Sequence, residues 1–244
     1  MIRRRLRPGA RYFEPFLGGG AVAFALQAPG MVLADACGEL IDTYRAIRAE
    51  PDRVADDLAV LALCNTRAGY DLVRKWQPKD LAPRAARFVF LNHTSFNGLW
   101  RVNRQGVYNV PYGKIAAPRF PTHTELHELA VLLKPCDVNR RDFAETISRA
   151  DPGQVVYCDP PYVGGFDAYT ATGFGEANQR QLACALAAAA ARGVHVIATN
   201  ADTPFVRKLY CWARVRRVRE RRAINCDGAG RGGVPCVIIT GGPR

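Results

Sequence analysis

A Gly-rich turn set between two short apolar runs is the feature that most limits how this chain can fold. Arg11-Tyr12-Phe13-Glu14 is short, aromatic and stopped by Pro15, which suits a strand running into a loop. After Phe16-Leu17-Gly18-Gly19-Gly20, the run Ala21-Val22-Ala23-Phe24-Ala25-Leu26 predicts a helix ended by Pro29-Gly30, and Met31-Val32-Leu33-Ala34-Asp35 predicts a second buried strand. Strand, Gly loop, helix, strand and acid together open a nucleotide-binding α/β unit. Phe16, Gly18 and Gly20 let the backbone turn tightly and let a ligand reach a helix N-terminus with no side chain between. Asp35, 17 residues after Gly18, ends the second strand, where a carboxylate can accept both hydroxyls of a ribose. The loop is not G-x-G-x-x-G, so a dinucleotide, another nucleoside ligand or a plain turn all fit this motif taken alone.

Beyond Asp35 the pattern changes. Segments 39–50, 52–63 and 80–91 carry apolar residues at helical spacing, and 66–77 does so less clearly. Leu99-Trp100-Arg101-Val102-Asn103 and Val107-Tyr108-Asn109-Val110 flank the turn Arg104-Gln105-Gly106, whose Gly suits the left-handed position of a three-residue hairpin loop. From about residue 122 helices and strands alternate again: a helix over 125–134, a short one over 142–149, a buried strand at 154–158, an Ala-rich helix over 177–192 closed by Gly193, a strand at 194–198, and last strands near 213–219 and 234–240. Asn200 and Asp202 are expected to cap a helix whose first turn holds Pro204. Alternation of this kind predicts a mostly parallel α/β sheet with its ligands at the carboxyl ends of the strands.

The second motif, Asp159-Pro160-Pro161-Tyr162, directly follows one of those strands, so both motifs belong on one edge of the sheet. Its chemistry suits an exocyclic amino group. Adenine N6 is a poor nucleophile because its lone pair is delocalised into the ring. Two acceptors, the Asp159 carboxylate and the Pro160 carbonyl, can hold its two N–H groups and draw the nitrogen towards tetrahedral geometry, so that proximity and electrostatics drive an in-line methyl transfer. Pro161 stiffens the loop, and Tyr162 offers a ring on which an extruded base can stack. A Pro-Pro turn with a surface Tyr is the bland alternative. The pairing of the two motifs shifts the first site towards S-adenosylmethionine.

Composition narrows the partners. A chain of 244 residues with 48% hydrophobic content can bury a full core, and no apolar run reaches the length that spans a bilayer, so no membrane partner is expected. The eight cysteines include no C-x-x-C pair and no neighbouring His, which fits reduced cytoplasmic thiols and predicts no metal. Net charge is +12, and half of the sixteen positions 207–222 are basic with Glu220 the single acid; alone this fits a solvated face equally well, but beside the transfer motifs a polyanionic substrate is the better reading.

Taken together the residues resemble the DNA adenine-N6 methyltransferases of Dam type, over roughly 12–240. The likeness rests on Phe13-Glu14-Pro15-Phe16-Leu17-Gly18-Gly19-Gly20, Leu33-Ala34-Asp35, Phe96-Asn97-Gly98-Leu99-Trp100-Arg101, Asn109-Val110-Pro111-Tyr112-Gly113, Asp142-Phe143, Tyr157-Cys158-Asp159-Pro160-Pro161-Tyr162 and Thr199-Asn200-Ala201-Asp202-Thr203, in family order. The resemblance implies a Rossmann-like methyltransferase domain, 1–38 with 122–244, interrupted by a mainly helical DNA-recognition domain with a β-hairpin at 39–121. It implies S-adenosylmethionine as donor, with Glu14, Phe16, Gly18, Gly20, Asp35, Asp142, Phe143 and Asp159 around it and Asp142-Phe143 at its adenine. It further implies that Phe96 wedges into duplex DNA, that Asn97 and Leu99 help fill the vacated space, that Arg101 reads a guanine edge, and that Asn103 and Pro111 also face the DNA. Core packing for Phe96 and Leu99, and a phosphate contact for Arg101, are the competing expectations. The resemblance also fits a prokaryotic or phage-encoded cytoplasmic protein, with a restriction endonuclease as a partner in some such systems.

Members of that family usually carry an aromatic-Ala-Gly-Gly-Lys segment some 25 to 30 residues before the Gly motif. Eleven residues precede Tyr12 here and none of them form it. The alternative expectation is therefore a DNA-binding homologue impaired in transfer; a nicotinamide-dependent oxidoreductase is disfavoured by Asp159-Pro160-Pro161-Tyr162.

Overall fold

The computed structural model describes residues 2, 6, 9–164, 173–220 and 234–243. The chain divides into two compact units: one holds the described residues through Ala36 and those from Asn139 onward, and the other is Cys37–Val138.

In the first unit, β1 (Tyr12–Glu14), α1 (Ala21–Leu26) and β2 (Val32–Asp35) follow the expected order. Gly20 precedes α1 with a φ of 67°, and an added Cβ there would lie 2.2 Å from the Phe24 ring, so both conformation and space call for glycine. The later elements are β3 (Asp137–Arg140), whose first two residues are the last of the other unit, α7 (Phe143–Ser148), β4 (Val155–Cys158), α8 (Glu176–Ala191), β5 (His195–Ala201), α9 (Pro204–Leu209), β6 (Arg214–Glu220) and β7 (Val234–Gly241). They form a seven-stranded sheet in the order β3-β2-β1-β4-β5-β7-β6. Strands β2, β1, β4 and β5 run parallel, whereas β7 is antiparallel to both β5 and β6. Pro235, opposite Arg219, is the second residue of β7, where the missing N–H costs little ladder bonding.

Strand order reverses between β1 and β4, the switch point at which open α/β sheets leave a crevice beyond the strand ends. Val155, Val156 and Cys158 of β4 and Val196 and Ala198 of β5 are fully buried, as continuous apolar runs with helices above and below should be. Leu182, Leu186 and Ala189 of α8 and Val206 of α9 join that core. Thr203, not Asn200 or Asp202, caps α9: its side chain accepts from Val206 N at 3.1 Å, and Pro204 takes the first turn as expected. The Asp202 carboxylate instead accepts from Arg207 Nε at 2.6 Å and from Arg217, two guanidiniums that hold its carboxyl below the ordinary range.

The second unit contains α2 (Gly38–Ala49), α3 (Pro51–Ala62), α4 (Arg67–Lys75), α5 (Leu81–Thr94) and α6 (His123–Leu133). The weakly periodic 66–77 segment is a real helix because Thr66 caps its start, accepting from Gly69 N at 3.1 Å, and buried Arg87 satisfies its last carbonyls. Arg87 Nε and Nη2 donate to Val73 O at 3.1 Å and Arg74 O at 2.7 Å.

The structure moves the expected boundary at 122 to Asn139. α6 begins with a reciprocal capping box between Thr122 and Glu125, and its Leu126 and Ala130 pack with Ala46, Ile47, Val54, Ala55, Ala82 and Ala85 of α2, α3 and α5. His123 and His127 face Asp56 and Asp52 of α3 at 3.0 and 2.6 Å. This helix therefore completes the helical unit rather than the sheet.

The expected hairpin forms. Val102 bridges Tyr108, Asn103 N donates to Val107 O at 2.9 Å, and Gly106 has a φ of 76°. Trp100 and Tyr108 pack at a tilt with ring centroids 4.5 Å apart, and the Phe88 ring lies 4.1 Å from Trp100, anchoring the hairpin base in the helical core.

Candidate methyl-transfer and DNA-contacting sites

Parallel pairing of Phe13 with Val156 carries both motif loops out of the sheet at one carboxyl edge. The Gly loop folds back on β2: Leu17 N donates to Ala34 O at 2.9 Å, and Gly18 N donates to Asp35 Oδ2 at 3.0 Å. Asp35 is thus oriented by the loop, and an ionised carboxylate retains acceptor capacity beyond one such bond. Gly18 and Gly20 take φ values of 49° and 67°, the left-handed region the sequence pattern anticipates.

Glu14, the last residue of β1, is only 3% exposed, and its Oε2 accepts from the Tyr12 hydroxyl at 2.7 Å. Burial pushes its carboxyl up to about 7; the Tyr12 hydroxyl opposes that rise and the charge of Asp159 adds to it. Burial and the Glu14 charge in turn push the Tyr12 phenol upward.

Phe16 stacks on Phe143, with centroids 5.5 Å apart and planes at 21°, and Phe174 meets both edge-on at 5.5 and 5.7 Å. Asp142 caps α7, accepting from Ala144 N at 2.8 Å. Asp142-Phe143 therefore stands beside Phe16. Phe174 escaped the sequence reading; an aromatic isolated between Gly173 and Gly175 just ahead of a helix was the available signal.

On the other side of the switch point, Asp159 is exposed and Pro160 is buried. The Thr199 hydroxyl donates to Asp159 Oδ1, fixing that carboxylate from the neighbouring strand. The Pro161 carbonyl accepts from Gln179 Nε2 at 2.7 Å, and Val163 N donates to Asn200 Oδ1 at 3.2 Å. Tyr162, half-buried, lies between those two anchored peptide groups.

Within the helical unit, Phe96 is 46% exposed on a short 3-10 turn, which argues against core packing for it. Asn97 and Gly98 are consecutive left-handed residues with φ of 55° and 61°. Leu99 is partly buried against the helical core, so the core alternative applies to it in part. Arg101 Nε donates to Asn109 Oδ1 at 2.8 Å and its Nη2 to Asn109 O at 3.2 Å, which holds the guanidinium along the hairpin. Asn103 shapes the hairpin loop, because its Oδ1 accepts from Gln105 N at 3.0 Å and Val107 N at 2.9 Å, forming an Asx turn. Pro111 is exposed, and its carbonyl accepts from Phe96 N at 2.9 Å.

Among the described residues, no group of three or more His, Cys, Asp and Glu side chains could hold a metal ion, and no helix is long and apolar enough to cross a membrane.

The family model of D12 class N6 adenine-specific DNA methyltransferases matches residues 2–224. The chain belongs to that class. It is therefore an enzyme, of a class named for methylating adenine in DNA at N6. The methyltransferase is 31% identical to the Retron Ec67 DNA adenine methylase of Escherichia coli, over 100% of this chain and 87% of that protein. It is 33% identical to a DNA adenine methylase of Vibrio cholerae, over 94% and 86% of the two chains. A DNA N-6-adenine-methyltransferase of Escherichia phage P1 shares 37% identity over 95% of this methyltransferase, which spans only 32% of the phage protein.

Proposed function

We propose that this methyltransferase moves the methyl group of S-adenosylmethionine to N6 of an adenine flipped out of duplex DNA at a specific sequence. One observation carries the reading: β1 and β4 are parallel neighbours at the switch point, so the Gly loop and the Asp159-Pro160-Pro161-Tyr162 loop leave the sheet side by side. Donor and acceptor would then meet at one strand edge. Phe16, Gly18 and Gly20 admit the donor, Asp35 accepts from its ribose hydroxyls, Asp142-Phe143 lies at its adenine, and Glu14 stands at the start of the loop.

For the acceptor, the Asp159 carboxylate and the Pro160 carbonyl receive the two N6 hydrogens. The nitrogen lone pair attacks the methyl carbon, the carbon–sulfur bond breaks with its electrons passing to sulfur, and a proton leaves N6 to solvent. Fixed acceptors and orientation supply the acceleration, with no covalent enzyme intermediate. Stacking on Tyr162 contributes about 1–3 kcal/mol, comparable to the few kcal/mol that flipping costs.

The unit Cys37–Val138 serves recognition in this reading. Exposed Phe96 enters the base stack, Asn97 and the partly buried Leu99 border the gap, and Arg101 contacts a guanine edge. The relatives, each named as a methylase or methyltransferase, lend no support to the alternative of a DNA-binding homologue without transfer.

Incubation with S-adenosylmethionine and unmethylated duplex DNA, followed by mass spectrometry of the nucleoside digest, tests the proposal. N6-methyladenine is expected. Methylcytosine alone, or no product from folded protein that binds both substrates, would overturn it.

A further inference from the structure

Two buried amides hold the acceptor loop, and neither takes part in the transfer step itself. Gln179 of α8 is 2% exposed and Asn200 of β5 is fully buried. Asn200 Nδ2 donates to Gln179 Oε1 at 2.9 Å. Gln179 Nε2 donates to Pro161 O at 2.7 Å, while Asn200 Oδ1 accepts from Val163 N at 3.2 Å and from its neighbour Ala201 N at 2.8 Å. The loop needs such help because Pro160 and Pro161 have no N–H with which to build a turn of their own, and buried peptide groups must find partners.

We infer that Gln179 and Asn200 are positioning residues for methyl transfer: they pin the peptide groups on both sides of Tyr162, while Thr199 pins Asp159, so that the two N6 acceptors and the stacking ring keep one geometry. The inference rests on the assignment of Asp159-Pro160-Pro161-Tyr162 as the acceptor site. An amide pair suits this role, since each group both donates and accepts and neither changes charge near neutral pH. The pair joins a helix and a strand of the packed sheet, so the loop inherits the rigidity of that core.

The double variant Gln179→Met/Asn200→Leu tests this: it removes both partners of the amide–amide bond together but leaves Pro161 O and Val163 N without theirs, so a thermal melt first establishes that the variant is folded. The expected result is a kcat lower by about 10- to 100-fold, as for displacement of reacting groups by about 1 Å, with KM for S-adenosylmethionine and for DNA within about twofold of wild type. An unchanged kcat in folded protein overturns the inference. So does an equal loss of donor affinity, which would mark the pair as structural only. Asp159→Ala, assayed in parallel, separates the two levels. If it is inactive while the double variant is fully active, the positioning role alone fails; if it too is active, the acceptor-site assignment fails. Hydrogen exchange on the wild-type protein gives a check that needs no variant: the Val163 amide should be as protected as those of β4, and rapid exchange would overturn the inference.

Discussion

Glu14 makes stability depend on pH in an unusual direction for a carboxyl. Its folded-state value is pushed up to about 7 by burial, whereas an unfolded glutamate ionises near 4.5. Below about pH 4.5 both states are protonated and the contribution is complete; between about 4.5 and 7 the unfolded state has shed its proton while the folded state keeps it, so stability falls, and the loss levels off once the folded carboxyl ionises above 7. The loss is at most about 3.5 kcal/mol, at about 1.4 kcal/mol per unit. Thermal melts of Glu14→Gln, which keeps an acceptor for Tyr12, should vary less between pH 5 and 8 than those of wild type, and the variant should gain most at pH 8. Equal slopes for both proteins would show that another group sets the dependence. Arg101 permits a separate test, since Asn109 already orients it along the hairpin. Arg101→Ala should broaden the set of methylated sequences, with the best site losing about 1–3 kcal/mol of discrimination. A uniform loss over all sequences in a methylation-site sequencing assay would recast Arg101 as a phosphate contact.

The turn carrying Phe96 depends on a close approach between two chain segments. Phe96 N donates to Pro111 O, Gly113 N donates to Thr94 O at 2.8 Å, and a Cβ on Gly113 would sit 2.4 Å from Ser95 O. Gly113→Ala should therefore push the Phe96 turn off its support. DNA methylation should fall about tenfold or more while S-adenosylmethionine binding, followed by calorimetry, is unaltered; impaired donor binding would contradict this local reading. That glycine belonged to a motif visible in the sequence, but its reason was not, because the clashing carbonyl lies eighteen positions away. The same limit recurs elsewhere. β1, α1, β2 and β4 were legible since strand period, helix period and glycine act within a few residues. The helix over 123–133 was legible as a helix, yet Leu126, Ala130 and Leu133 would suit either core, and only three-dimensional packing chose the helical unit. Thr203 and Asn200 are both reasonable caps by type; Asn200 was taken away from that role by Gln179 and Val163. Phe174 and Gln179 gain their importance wholly from distant partners.

Charge acts over the full chain. With +12 overall, association with DNA should release counterions, so the logarithm of the binding constant should fall linearly with the logarithm of salt concentration. Six to ten phosphate contacts would weaken binding by about 10³–10⁵ between 50 and 200 mM salt. A flat response in fluorescence anisotropy would remove the basic surface from the account. Two members of the basic C-terminal stretch, Arg207 and Arg217, are committed to Asp202, so charge counted from sequence overstates what a phosphate can meet. The place of β1 in the sheet bears on how the protein is made. One flank of β1 meets β2 almost at once, but the other waits for β4, whose Val155 follows Tyr12 by 143 positions. At 5–20 residues per second a ribosome needs roughly 7–30 s to supply that partner. Throughout that interval the nascent chain offers an unpaired strand edge, while Cys37–Val138, complete in sequence and rich in local helical contacts, can already fold. The sheet can thus be completed only after the helical unit has been made, and β1 waits with one edge unpaired until then.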